Sequence, residues 1–196
     1  YRAQRVGGCL TALVLWESCC VPSLIYNCST WVGMGKEEEK VLNQSQDFFL
    51  RLLWATGPGA PRVALRADLG TRSMESRVWS QKILLIHHIA RLQEGDLARM
   101  MLDEQQKFSW PGLSGEVASL CEQLGLEDAA QTKMSKFEYK KEVEKACRMM
   151  DETSMKKEME HMKDKKMKVM IKEGCEITDY VKEGNIYAAR KVWEAR

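Results

Sequence analysis

The residue types in this 196-residue chain best suited to acid–base, metal or redox chemistry are the adjacent pair His87-His88 and a run of thiols, Cys9, Cys19, Cys20 and Cys28. Neighbours on a helix point about 100° apart, so His87 and His88 are poorly placed to share one ion or one proton. One is expected to pack and the other to face solvent. Cys19 and Cys20 meet the same objection, and free cysteine is among the most buried residue types, so core packing is the expectation for the cluster. Seven cysteines at 9, 19, 20, 28, 121, 147 and 175, with no C-x-x-C and three histidines, match neither a zinc framework nor a disulfide scaffold. The odd count suits a reducing compartment. There is no G-x-S-x-G, no H-E-x-x-H, no phosphate-cradling loop followed by Lys-Ser/Thr and no adjacent aspartate pair for two metal ions. TGPGAP at 56–61 reads as a turn. No catalytic residue, metal ligand or cofactor is therefore assigned to this chain.

Charge says more when read locally. The formal net charge is only +2, too small for a single-signed field that would announce a nucleic-acid or membrane partner. Residues 61–93 nevertheless hold Arg62, Arg66, Arg72, Arg77, Lys82 and Arg91 against Asp68 and Glu75. Arg62 and Arg66 lie one helical turn apart, and Arg77 and Lys82 sit beside an apolar helix face. These four are the candidate contacts to a phosphate backbone. Residues 94–131 reverse the sign, and 132–196 mix both signs densely, as solvated helix faces do.

The elements that must position these residues are helical. Pro22 lacks an N–H and restricts the residue before it, predicting a helix from Leu10 to Cys19 and a second from Pro22 or Ser23. Residues 36–54 carry an acidic first turn, Glu37 to Glu39, ahead of an apolar pattern. Pro61 opens a short helix through VALRAD that Gly70 closes. Ser73 or Ser76 caps a helix over SMESRVWSQKILLIHHIARL, with Trp79 on its buried side. Further helices are predicted at 96–108 and 114–124, the second ended by Gly125.

Lys136 to Lys172 is Lys/Glu/Met-rich. Its stripes, Tyr139, Val143, Ala146, Cys147 and Met150, then Met155, Met159 and Met162, are out of phase, predicting two helices or one kinked arm rather than a continuous coiled coil. The methionines serve as apolar filler or as an adaptable partner surface. ITDYVKEG and NIYAARKVWEAR complete the helices. Strand alternation is nearly absent, so the expected fold is all-α: an irregular helical bundle over 1–131 and a long charged, Met-rich arm over 132–196.

The string LWESCCVPSLIYNCSTW, followed by DFFLRLLWATGPGAPRVALRADLG and SMESRVWSQKILLIHHI, resembles the region just after the polymerase core of LINE-type, non-LTR retrotransposon reverse transcriptases. The match is carried by Leu15-Trp16-Glu17, Val21-Pro22-Ser23-Leu24, Tyr26-Asn27, Thr30-Trp31, Pro61, Ala64-Leu65-Arg66, Leu69-Gly70, Arg77, Trp79, Lys82 and His88. A weaker similarity runs to the C-terminus, where such proteins carry a helical segment before a cysteine/histidine-rich tail. The resemblance implies a thumb-like bundle and linker beside a polymerase palm, contacting an RNA–DNA or RNA template-primer duplex through Arg62, Arg66, Arg77 and Lys82. RNA-directed DNA polymerase activity and its divalent metal would belong to the missing palm, whose Phe/Tyr-x-Asp-Asp box this chain lacks. By itself the chain is expected to be inactive.

The chain starts at Tyr1 and ends within a helical pattern, which reads as a fragment of a longer product. A non-catalytic interaction remnant docking a helical partner through 136–172 is the alternative. The expected compartment is intracellular, cytoplasm and nucleus, with no membrane partner. A secreted form stands beside it, because Arg2 and Arg5 precede the apolar CLTALVLW and sequons occur at Asn27 and Asn43. ESCCVPS offers no small-x-small cleavage site. Glu17 would oppose a membrane span by about 3 kcal/mol.

Overall fold

A computed structural model describes residues 8–54, 61–108 and 112–161. The TGPGAP turn up to Ala60, Trp110-Pro111, Met162, ITDYVKEG and NIYAARKVWEAR lie outside the described residues. The described residues are all-α, with no strand among them. In chain order the helices are α1 (Gly8–Leu15), α2 (Val21–Leu24), α3 (Lys36–Trp54), α4 (Arg62–Leu69), α5 (Met74–Ile89), α6 (Leu97–Lys107), α7 (Leu113–Leu124) and α8 (Lys136–Glu160).

Pro22 does not break the first helical stretch as predicted. A π-helical turn, Trp16–Cys20, joins α1 to α2, and the Val21 N–H donates to the carbonyl of Trp16, five residues back. Cys20 and Val21 keep right-handed helical angles. Proline is excluded from an α-helix interior by its missing N–H and its clash with the carbonyl four residues earlier, and one widened turn relieves both. The hydroxyls of Ser18 and Ser23 add bonds to the carbonyls of Val14 and Cys19.

The chain separates into two compact units. The first draws on described residues within 1–26, 40–74 and 151–196, the second on 27–39 and 75–150. In the first, Trp16 stacks on Phe49 of α3 with ring centroids 4.3 Å apart. Buried Leu42, Gln46, Leu50 and Leu53 follow the helical repeat of α3, leaving Val41, Phe48 and Leu52 exposed. Gln46 is fully enclosed and donates Nε2 to the carbonyl of Arg72 at 2.7 Å. Helix α4 forms as predicted: Pro61 precedes it and Gly70, at φ 59°, turns the chain left-handed at its end. Its Val63, Ala64 and Ala67 pack against Met155 and Met159 of α8.

In the second unit α5, α6, α7 and the first half of α8 surround one core containing Ile83, Ile86, Leu102, Val117, Leu120, Cys121, Tyr139, Val143 and Cys147. The out-of-phase stripes of α8 thus belong to one helix that runs through the change of phase, because Tyr139, Val143 and Cys147 enter this core while Met155 and Met159 enter the other. The methionines are apolar filler there. Trp79 is half-buried against the second core.

The thiols divide. Cys28 is buried as expected for its cluster, and Cys121 and Cys147 are buried as well, whereas Cys19 and Cys20, expected to pack in the core, are exposed beside the π-helical turn. No helix among the described residues is long and apolar enough to cross a membrane.

Candidate nucleic-acid interface

The cations of the basic segment are largely matched inside the fold. In the first unit Arg62, at the surface, is held by a two-pronged bond to Glu158: Nε donates to Oε2 at 3.0 Å and Nη2 to Oε1 at 2.8 Å. Arg66 is buried and donates Nη2 to Asn43 Oδ1 at 2.9 Å. Burial pulls its pKa down, opposed by the carboxylate of Asp47; burial in turn raises Asp47, opposed by Arg66 and Arg62. Desolvation therefore outweighs attraction for both groups. Arg72 lies 4.0 Å from Asp151, whose carboxylate also accepts the Ser73 N–H.

In the second unit Arg77 is half-buried, with Nε out of reach of solvent. Lys82 is 1% exposed, and its Nζ donates to Glu116 Oε1 at 2.5 Å. The other oxygen of Glu116 accepts the Gly33 N–H. Arg91 clamps the chain after α5 by donating to the carbonyls of His87, Thr132 and Met134. Of the four candidate contacts, Arg62 and Arg66 belong to the first unit and Arg77 and Lys82 to the second. In this fold Lys82 and Arg66 hold protein together and present no charge to a phosphate.

A different set of cations stands clear of the fold. On α8, Lys141, Lys145 and Arg148 are spaced i, i+4, i+7, opposite the side that buries Tyr139, Val143 and Cys147. All three are exposed, and among the described residues none has an ion-pair partner. Lys141 Nζ sits 4.4 Å above the ring of exposed Phe137. Lys140 and Glu144 pair to one side of this ridge. The i, i+4, i+7 spacing against the apolar stripe was the sequence signal for it. Glu138 and Glu152 flank the three cations along the same side of the helix, and Glu142 and Glu144 stand nearby, so a count over the whole mixed segment masks them.

The ridge has a firm base. Ser135 and Glu138 form a reciprocal cap at the start of α8: the Glu138 N–H donates to Ser135 Oγ, and the Ser135 N–H and Oγ–H donate to Glu138 Oε2. Those bonds, hydroxyl first, hold the Glu138 carboxyl below its usual range. Beneath, the Tyr139 hydroxyl donates to the carbonyl of Glu127 at 2.8 Å and lies 3.7 Å from Cys121 Sγ. The Tyr139 ring stacks on His87, with centroids 4.4 Å apart and planes 10° from parallel.

His87 is the packed member of the histidine pair, and His88 is exposed. His87 Nε2 is enclosed without a hydrogen-bond partner among the described residues. Burial, then the nearby charge of Arg91, lowers its pKa from the ordinary histidine value. A histidine kept neutral by the fold destabilises it when the unfolded chain can take a proton that the folded chain resists. Stability conferred by neutral His87 is therefore full above the unfolded value of about 6.5 and declines as pH falls below it, by at most about 1.4 kcal/mol per pH unit. Urea midpoints of the native chain and His87→Gln, compared from about pH 7 to about pH 5, are expected to converge on acidification. Parallel curves would assign the acid sensitivity to other groups.

No cluster of three or more His, Cys, Asp or Glu able to hold a metal ion occurs among the described residues. No known protein-family model matches the sequence, and comparisons with curated proteins and with solved structures find no significant relative.

Proposed function

We propose that this chain grips nucleic acid by its phosphate backbone, as the thumb and post-polymerase part of a LINE-type reverse transcriptase whose catalytic palm is elsewhere. The observation that carries the binding reading is the ridge of Lys141, Lys145 and Arg148, three exposed cations on one helix face, flanked by Glu138 and Glu152. The resemblance over residues 9–93 supports the origin. Seven residues at 1.5 Å rise give the ridge a length of about 10 Å, enough to follow successive phosphates. An A-form-like heteroduplex suits such a surface, since its narrow major groove hides the bases and it is held through shape and phosphates. Binding is then sequence-tolerant and polymerisation is absent from this chain alone.

The test is a titration of RNA–DNA hybrid against the purified chain at salt from about 50 to about 200 mM. Exchanging Lys141, Lys145 and Arg148 together for Gln is expected to weaken binding at low salt and to flatten the log–log salt dependence by about two to three units. Arg66→Gln and Lys82→Gln are expected to lower thermal stability instead. An unchanged salt slope in the triple variant would reject the ridge. Absence of any hybrid binding at low salt would reject the function.

A further inference from the structure

The cation ridge of α8 has an aromatic ring at its head. Phe137 is 66% exposed and stands outside the core of the second unit, which takes Tyr139, Val143 and Cys147 from the other side of the helix. At 100° per residue, Phe137, Lys141, Lys145 and Arg148 fall within about 80° of one another, so the ring and the three cations form one stripe. Eleven residues at 1.5 Å rise make it about 16 Å long. Lys141 Nζ lies over one face of the ring, 4.4 Å from its centroid, and the high exposure of Phe137 leaves the remainder of the ring to solvent.

We propose that Phe137 stacks one unpaired base of a nucleic-acid strand whose phosphates the ridge holds, so that the preferred ligand is a hybrid with a single-stranded extension rather than a blunt one. The inference rests on phosphate binding by the ridge. An aromatic ring in line with cations is the combination that holds single strands, because every base has a π-face whatever its sequence, and in a closed duplex those faces are covered by neighbouring base pairs. A blunt hybrid therefore gives the cations phosphates and leaves the ring bare. A strand freed from its complement engages both, and at about 3.4 Å per nucleotide the stripe spans about four or five nucleotides.

Charge sorts base from phosphate along the stripe. The Glu138 carboxylate folds back onto the N–H and hydroxyl of Ser135, and those bonds favour its ionised form. A phosphate drawn to the first turn of α8 would meet that negative charge, whereas a base is neutral there. At the far end Glu152 stands past Arg148 on the same side and closes the row. Glu144, beside the stripe, pairs with Lys140 at 3.8 Å. Phosphates are thus confined to the stretch from Lys141 to Arg148, and the ring is left for a base.

Fluorescence anisotropy at about 50 mM salt tests this, comparing a labelled blunt RNA–DNA hybrid with the same hybrid carrying a single-stranded extension of about five nucleotides. The native chain is expected to bind the extended hybrid about tenfold more tightly. Phe137→Ala and Phe137→Leu are expected to bring that ratio close to one, the second because it keeps an apolar side chain without a flat face. Phe137→Trp is expected to keep or raise the ratio. The substituted side chain lies on the surface, and matching thermal unfolding of the variants confirms that the fold is kept. Equal binding of the two hybrids by the native chain overturns the inference and leaves the ridge standing. A preference that survives in Phe137→Ala or Phe137→Leu also overturns it, by assigning the gain to added phosphates or to apolar contact. Absence of binding to either hybrid overturns the ridge and the stacking together.

Discussion

Glu116→Ala is expected to destabilise the second unit by about 3–5 kcal/mol, the range for stripping the partner from a buried charge. Lys82 is 1% exposed and Glu116 is 27% exposed, so the two ends of the ion pair differ in what they lose. Without Glu116 the ammonium has no route to water, and the Gly33 N–H loses its acceptor as well. Removing the lysine is the gentler change, because the carboxylate left behind is already partly hydrated. Lys82→Met is accordingly expected to cost roughly half as much, and the double variant Lys82→Met/Glu116→Leu to regain most of the loss. Urea denaturation of the three variants decides it. A loss below about 1 kcal/mol for Glu116→Ala would mean that Lys82 finds water or another acceptor.

Tyr139→Ala is expected to cost a further independent 3–5 kcal/mol, about the usual range for emptying a large aromatic site. Tyr139 is fully buried, stacked on His87 and bonded to the Glu127 carbonyl. Burial, followed by the Cys121 interaction, raises the Tyr139 pKa well above its usual value, so the hydroxyl remains a donor throughout the physiological range. Tyr139→Phe separates the contributions: it keeps the stack, leaves the carbonyl unpaired and is expected to cost about 1–2 kcal/mol. Equal losses for Phe and Ala, measured by urea denaturation, would place the whole effect in the hydroxyl and none in the ring.

Much of the fold was legible because its signals are local. The acidic turn of Glu37 to Glu39, Pro61 before α4, and Gly70 and Gly125 after α4 and α7 each act within a few residues of where they stand. The role of the basic segment was not legible, because its counter-charges come from far along the chain. Glu158 is 96 residues from Arg62, and Glu116 is 34 from Lys82. A local excess of Lys and Arg therefore signals cations that need partners without saying whether a phosphate or a carboxylate supplies them. The ridge on α8 was hidden for the converse reason, since Glu138, Glu142, Glu144 and Glu152 stand close by in sequence and cancel its cations in any local count. The π-helical turn also lay beyond the pattern: proline announces a disturbance, and packing decides between a break and a widened turn.

The interleaved composition of the units bears on how the chain is made. Val63, Ala64 and Ala67 wait for Met155 and Met159, which leave the ribosome some ninety residues later. The second unit has its internal segments by Met150 and can condense first, while α4 keeps an uncovered apolar side until α8 is complete. Premature termination between 150 and 155 would thus spare one core and orphan the other, marking a sharp boundary for chaperone capture and proteolysis within a single helix.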